Sequence, residues 1–455
     1  MIQPVNYTAL LNPAALNRRP SPTFAVAAKA TDRKNQGKPV YDFCLGQPAE
    51  AAPDYVRQAL LDAIKDDTTW AQASKYPPVS GMKPLKDNII YKFDDENGLA
   101  YKANEILVTN GGKQAIYNAL STTLEKGDKV LIPDPSWVSY ADIVKATGAE
   151  AVPIRTNKDF KFNAEALRHY LDDTSIKWLV LNSPSNPTGA TYSKEEMEAI
   201  AGVILAANEE RKKAGKAPVM VLSDDIYEHM VYDSKLTNDK GVSCNVIMAN
   251  PEMKPYTVIV NGIAKAFSMT GHRVGYAAGP AELIKAMEAL QGEVTSGVSA
   301  LEELAAAAAL DPKYKQEREA FFASQRERYK KRLAVIDGTI NKDDTSSVSA
   351  VLTPGAFYAM LDVSTLCAHL PTASAEEQKL RPTERLANLL IDKYGVALVP
   401  GDPFYERPGQ DGRSFLRMSY ATDEGTIQKG LELIKEAEKG LVPEAKRIKS
   451  LSRAA

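Results

Sequence analysis

The chain has 455 residues, with 56 Lys+Arg against 58 Asp+Glu and 44% apolar residues. Its 27 glycines and 27 prolines exclude collagen-like and low-complexity chains, and the net charge of −2 argues against a nucleic-acid-binding surface. The length is enough for two or three domains around a large core. Cys44, Cys244 and Cys367 lie far apart with no CxxC pair, which excludes a disulfide framework and points to a reducing compartment. His169, His229, His272 and His369 are equally scattered, so no metal site is expected. The start has no charged-then-apolar leader, and no apolar run approaches the ~18 residues of a membrane span. The expectation is a cytoplasmic enzyme that binds neither nucleic acid nor membrane.

From about residue 100 to 280, short apolar runs alternate with helical patterns. The runs are Ile106–Val108, Val130–Ile132, Trp178–Leu181, Val219–Leu222 and Thr257–Val260, with helices read at Gln114–Leu124 and Lys194–Lys212. Buried β-branched runs separated by helices predict a mainly parallel sheet covered on both faces. Several runs end in Gly, Pro, Asn or Asp, and in such sheets the carboxyl ends of the strands form the ligand crevice. After about residue 310 a charged helix (Tyr314–Leu333) leads to strands at Phe357–Asp362, Val396–Pro400 and Phe415–Tyr420, then a last helix. This reads as a second, smaller α+β unit. The basic tail around Lys446, Arg447 and Lys449 reads as a solvated end.

Five loops carry residues with chemical potential. In Thr109-Asn110-Gly111-Gly112-Lys113-Gln114, paired glycines opening a helix let the backbone approach a phosphate, although such a turn also occurs without a ligand. In Asp134-Pro135-Ser136-Trp137-Val138-Ser139-Tyr140, Trp137 is suited either to stacking on a planar ring or to the core. Asn182-Ser183-Pro184-Ser185-Asn186-Pro187-Thr188-Gly189 is a rigid turn able to aim the Asn186 amide. Ser223-Asp224-Asp225-Ile226-Tyr227 sets an acid and a phenol three residues apart at a strand end; both of these segments also satisfy ordinary turn chemistry. In the fifth loop Lys265 follows an apolar strand and precedes Gly271-His272-Arg273-Val274-Gly275. A partly buried lysine loses its proton readily and becomes a nucleophile toward an aldehyde.

Asn-Pro-Thr-Gly, Ser-Asp-x-Ile-Tyr-Glu-His and Ala-Lys-Ala-Phe-Ser-Met-Thr-Gly-x-Arg-x-Gly-Tyr, in that order, resemble the class I aminotransferases. These are pyridoxal-phosphate enzymes of fold type I, and the resemblance is greatest to the bacterial aspartate/prephenate aminotransferase branch, from about Arg19 to Ile434. It implies a large domain at 55–320 with a mainly parallel seven-stranded sheet between helices. A small α+β domain would be formed by both chain ends, 1–54 and 321–455. It implies that Lys265 forms the cofactor Schiff base and moves the substrate's α-proton, and that Asp224 pairs with the pyridine nitrogen. Tyr227 and Asn186 would bond the ring's phenolic oxygen, Trp137 would stack on the ring, and Gly111, Gly112, Lys113 and Arg273 would surround the phosphate side. Arg417 would clamp the substrate α-carboxylate beside Gly46. Tyr76 would reach the phosphate of a neighbouring subunit's cofactor, which makes the expected assembly a homodimer.

The resemblance favours aspartate-like donors and acceptors such as 2-oxoglutarate through Ser21, Thr23 and Lys113. Ser21 and Thr23 read equally as caps for a helix beginning at Phe24. Other positions depart from the family: Gly46-Gln47-Pro48-Ala49-Glu50 for Gly-Glu-Pro-Asp-Phe, His272 for Trp or Phe, and Gly292-Glu293 for Gln-Ser. Leu370–Pro382 also looks longer than its counterpart. An unpaired Glu293 beside a substrate carboxylate would be unfavourable, so either Glu293 pairs with Lys113 or Arg19, or a neutral or cationic side chain is preferred. Two alternatives remain at this stage. One is another pyridoxal-phosphate carbanion reaction (decarboxylation, elimination, racemisation or cyclisation) on a non-acidic amino acid. The other is a binding or regulatory protein that keeps the fold without catalysis.

Overall fold

The computed structural model describes residues 7–11, 22–375, 377–409 and 412–443. Seven strands form the larger sheet: β1 (Ile106–Thr109), β2 (Lys129–Asp134), β3 (Glu150–Arg155), β4 (Ile176–Asn182), β5 (Met220–Asp224), β6 (Thr257–Gly262) and β7 (Gly275–Ala278). Their order across the sheet is β1-β7-β6-β5-β4-β2-β3. The pairs from β6 to β3 are parallel, and β7 lies antiparallel between β1 and β6. The mainly parallel, fold type I architecture read from the sequence is therefore present.

Successive residues of these strands enter different cores. Ile106, Val108, Leu131, Leu179 and Leu181 join one cluster, while Leu107, Val130, Ile132, Trp178 and Val180 join the cluster on the opposite face. Because both faces are buried, the runs are continuously apolar rather than alternating. Two strands have no such run. β3 carries Pro153 and charged ends, and β7 is Gly-Tyr-Ala-Ala. β7 passes so close to the turn before the helix Gly112–Ser121 that a Cβ at Gly275 would overlap the backbone of Gly111 and Gly112. Small residues there serve close approach at the expense of strand propensity.

A second, antiparallel sheet has the order β10-β11-β9-β8, with β8 Ser349–Val351, β9 Tyr358–Asp362, β10 Val399–Pro400 and β11 Phe415–Ser419. The segment near residue 42 joins this region: Tyr41–Asp42 pairs in parallel with Val396–Ala397, and Ser419 donates its backbone N–H to Phe43 O. Phe43, Tyr329, Phe357, Leu361, Leu416, Ile427 and Leu431 share one core. The helix Lys315–Ile336 spans the two regions, placing Phe322 in the larger core and Tyr329 and Ile336 in this one. The turn after β5 also contributes Tyr227 and Met230 to the second core, so the regions meet at that turn. Among the described residues, no helix is long and apolar enough to cross a membrane.

Candidate active site

The carboxyl ends of β4, β5 and β6 set the site. Asn182 and Asp224 are register partners at the ends of β4 and β5, and Asn182 Nδ2 donates to Asp224 O at 2.8 Å. Asn182 Oδ1 also accepts from the Asn186 backbone N–H at 2.8 Å, which ties the Ser183–Gly189 turn to the strand end. Asp224 is buried and its Oδ2 accepts a 2.6 Å hydrogen bond from the Tyr140 hydroxyl. Burial raises its carboxyl to about 6, opposed by Tyr140, the Ile226 N–H and Lys265.

Lys265 stands in the turn after β6. Its Nζ donates to Gly46 O at 2.5 Å and lies 5.9 Å from the Tyr227 ring centre. Burial, then the neighbouring charges of Arg417 and Arg273, lower its ammonium to about 8, with Asp224 opposing. A tenth or so of such an amine is neutral at pH 7, against less than about one part in a thousand for an ordinary lysine. Tyr227, close by, bonds the hydroxyl of Tyr358 at 2.9 Å, and burial holds its phenol well above its ordinary range.

Arg417 is buried on β11 between the rings of Tyr358 and Phe404, at 4.6 and 5.1 Å. Its Nη1 donates to Asn186 Oδ1 at 3.0 Å and its Nη2 to Cys44 O at 2.8 Å, but its buried Nε has no partner. An Nε–Nη edge with an unpaired donor matches the planar fork geometry of a carboxylate.

On the other side, Gly111 has φ +78° and precedes the helix Gly112–Ser121, where a Cβ would overlap the Arg273 guanidinium. Arg273 itself has φ +57° and donates to Thr270 O at 2.9 Å. Free helix N–H groups and a guanidinium thus converge as an anion cradle. The neighbouring Ser268 Oγ is buried without a partner. Trp137 packs edge-on against Tyr140 at 5.3 Å, with Lys113 Nζ 4.8 Å above the Trp137 ring.

The structure thus gathers Lys265, Asp224, Tyr227, Asn186, Arg417, Gly46, Gly111, Gly112, Lys113, Arg273 and Trp137 around one crevice. Tyr76 is not among them: it is 92% exposed. Arg19, Ser21 and the basic tail lie outside the described residues. Thr23 lies in the helix Pro22–Asn35, which begins two residues before the expected Phe24. Of the alternatives offered for Glu293, a pair with Lys113 does not form in this chain: Glu293 is exposed at the end of the helix Ala281–Val294 while Lys113 lies over Trp137. His272 Nδ1 instead pairs with Glu302 at 2.6 Å. Glu50, where the family has an aromatic residue, joins Arg332 at 2.8 Å and Arg328 at 3.3 Å.

Sequence reasoning missed four contributors. Tyr140 lies inside a quoted loop and Tyr358 in the strand read at Phe357–Asp362, and neither was assigned a role. The Cys44 carbonyl and the Phe404 ring carry no sequence signal, since a backbone oxygen or a core aromatic becomes specific only when Arg417 folds against it.

The family profile for aminotransferase classes I and II matches residues 38–434. The chain is 35% identical to an aspartate/prephenate aminotransferase of Nitrosomonas europaea over 420 residues, 91% of this chain and 96% of that one. It is 36% identical to an aspartate aminotransferase of Rhizobium meliloti over 421 residues, 92% of this chain and 93% of that one. The solved aspartate aminotransferase of Thermus thermophilus with maleate superposes with a TM-score of 0.79 at 32% identity, over 94% of this chain and 99% of that one. With 35% identity over nearly the full length and the same fold, the chain belongs to the class I and II aminotransferases, a family of pyridoxal-phosphate enzymes, and is itself an aminotransferase.

Proposed function

We propose that this aminotransferase binds pyridoxal 5′-phosphate and moves an amino group between an aspartate-like L-amino acid and a 2-oxo acid such as 2-oxoglutarate. The observation that carries this reading is the convergence of a lysine held near pKa 8, a buried carboxylate and an incompletely paired buried guanidinium at the ends of three strands. The donor set fits the cofactor. Gly111, Gly112 and Arg273 would hold its phosphate, Asp224 its ring nitrogen, Tyr227 and Asn186 its phenolic oxygen, and Trp137 its ring face; Lys113 lies on the phosphate side. Bound, pyridoxal phosphate supplies a carbonyl carbon open to amines and a ring that withdraws electrons from the substrate's α-carbon.

The chain's own residues do the rest. Arg417 orients the amino acid through its α-carboxylate, with the carbonyls of Cys44 and Gly46 bordering the clamp. The Lys265 amine, neutral in a usable fraction near pH 7, takes the proton from the α-carbon and returns it. Asp224, fixed by the Tyr140 hydroxyl, would hold negative charge against the ring nitrogen. The names of the relatives support acidic substrates, and Lys113 would meet a distal carboxylate, with Thr23 its expected companion. The exposure of Tyr76 supports a homodimer in which this residue serves the other copy's site. Division of the chain near residues 55 and 320, into a large unit and a small one built from both ends, is supported by the core that Phe43 shares with Phe357, Leu361, Leu416 and Leu431.

The test is a single-turnover titration of the pyridoxal-phosphate-loaded protein with one amino acid and no 2-oxo acid. Aspartate or glutamate should convert the absorbance to that of pyridoxamine phosphate once per site, and 2-oxoglutarate should restore it. Sustained turnover on an amino acid alone would replace transamination with decarboxylation, elimination, racemisation or cyclisation.

A further inference from the structure

We infer that Tyr358 is a positioning residue that sets the proton affinity of the Lys265 nitrogen through Tyr227 while supporting the Arg417 clamp; this rests on the function proposed above. Nothing in the motif set includes Tyr358, which stands at the start of β9 and is buried at the junction of three site residues. Its hydroxyl lies 2.9 Å from the Tyr227 hydroxyl, and the two rings meet edge to face at 5.9 Å. Its ring lies under the Arg417 guanidinium at 4.6 Å. A Cβ at Gly46 would overlap its hydroxyl, so Tyr358 also requires that position to be glycine.

The direction of the effect follows from counting protons. Each of the two hydroxyls has one proton, so in the Tyr227–Tyr358 pair only one donates to the other. When Tyr227 turns its proton toward the cofactor's phenolic oxygen, its own oxygen is left needing a donor in a buried place. The Tyr358 hydroxyl is the one already at hydrogen-bond distance. A phenol that accepts a hydrogen bond becomes a better donor, so Tyr358 strengthens the bond Tyr227 makes. That bond draws negative charge off the phenolic oxygen, which then holds the proton on the adjacent Lys265 nitrogen less firmly.

Other charges face the same groups. Arg417, Arg273 and Asp224 act on Lys265, and Arg417 acts on both tyrosines, while Asp224 also faces Tyr227. Behind Tyr358 stand Tyr329 and Phe357, with Glu50 and Arg332 beyond Tyr329. Tyr358→Phe leaves all of these in place and keeps the ring under Arg417, so it removes only the hydroxyl.

The experiment is a spectroscopic pH titration of pyridoxal-phosphate-loaded wild type, Tyr358→Phe, Tyr227→Phe and the double variant, alongside the dissociation constant of pyridoxal phosphate for each. Tyr358→Phe should raise the absorbance midpoint by about half a pH unit, with the loss of rate in kcat rather than KM. The double variant should shift no further than Tyr227→Phe alone, because the second hydroxyl acts only through the first. An unmoved midpoint in Tyr358→Phe, or additive shifts in the double variant, would overturn the inference and leave the proposed function standing. A wild type that takes up no pyridoxal phosphate would overturn the function itself.

Discussion

Two sets of buried charges lie on opposite sides of one turn, and they are built differently. Asp224 and Tyr227 face the crevice, together with Lys265 and Arg417. Asp225, Glu228 and His229, interleaved with them in sequence, face inward. There Lys92, only 1% exposed, bonds Glu228 and also Asn97 at 2.8 Å, while Asn261 bonds the same carboxylate. His229 Nε2 meets Glu96 at 2.8 Å, and Arg318 lies 3.4 Å from Glu96. Burial raises the Glu96 carboxyl, yet His229, Lys92 and Arg318 outweigh it and bring it to about 2. In the inner set both oxygens of Glu228 and of Asp225 are hydrogen-bonded, and Glu96 is bonded by His229 with Lys92 and Arg318 close by. On the crevice side, Arg417 Nε is unpaired and the Lys265 ammonium has a lone carbonyl for a partner. Dense hydrogen bonding between charged groups holds a turn in place, whereas an amine and a guanidinium with few partners at a crevice are able to take a ligand and exchange a proton.

Breaking the outer set should abolish chemistry and spare the fold. Lys265→Ala should lower turnover by roughly 10⁴-fold or more, as removal of a covalent catalyst does, while thermal unfolding changes little. In the wild type, capture of a small aldehyde should rise with pH around a midpoint near 8, because the neutral amine is the reactive form; Lys265→Ala should lose that limb. Turnover of Lys265→Ala near the wild-type level would refute the assignment.

Breaking the inner set should do the reverse. Lys92→Met leaves Glu228 buried and uncompensated, which should cost about 3–5 kcal/mol of stability, measured by denaturant unfolding. Pyridoxal-phosphate absorbance per folded molecule should be retained, and loss of colour without loss of stability would erase the distinction between the two sets. The smallest effect is expected at Glu50, which ties the segment bearing Cys44 and Gly46 to Arg332 and Arg328. Glu50→Gln should lower stability by about 1.5–3 kcal/mol, the range for a hydrogen bond to a charged group, and raise KM for the amino acid a few-fold. An unchanged KM would show that the segment is held by its strand pairing alone.

Legibility differed between the chain's regions for physical reasons. The strands at Ile106, Lys129, Ile176, Met220 and Thr257 were readable because burial on both faces demands unbroken apolar runs. β3 and β7 were not, since edge position and close approach to the Gly111–Gly112 turn removed the usual residues. Lys265, Asp224, Tyr227, Asn186, Arg273 and Arg417 were readable because their chemistry needs particular residue types beside particular turns. Glu293 was left open in the sequence because the facing of its helix is not written locally: a charge near a pocket in sequence becomes a charge in the pocket only when its helix turns that way, and in this chain Glu293 is exposed.

The opening balance of 56 cationic against 58 anionic residues carried almost no information about function. What the sequence by itself determined was the kind of chemistry: an amine, an acid, a phenol and a guanidinium in fixed order along alternating strands and helices. Tertiary structure alone decided the pairings: which carbonyl meets Lys265, which amide meets Arg417, that Tyr358 stands behind Tyr227, and that Glu50 meets Arg332 and Arg328. Hydrogen bonds and ion pairs depend on ångström-scale distances between segments hundreds of residues apart, and no local pattern of residues encodes those distances.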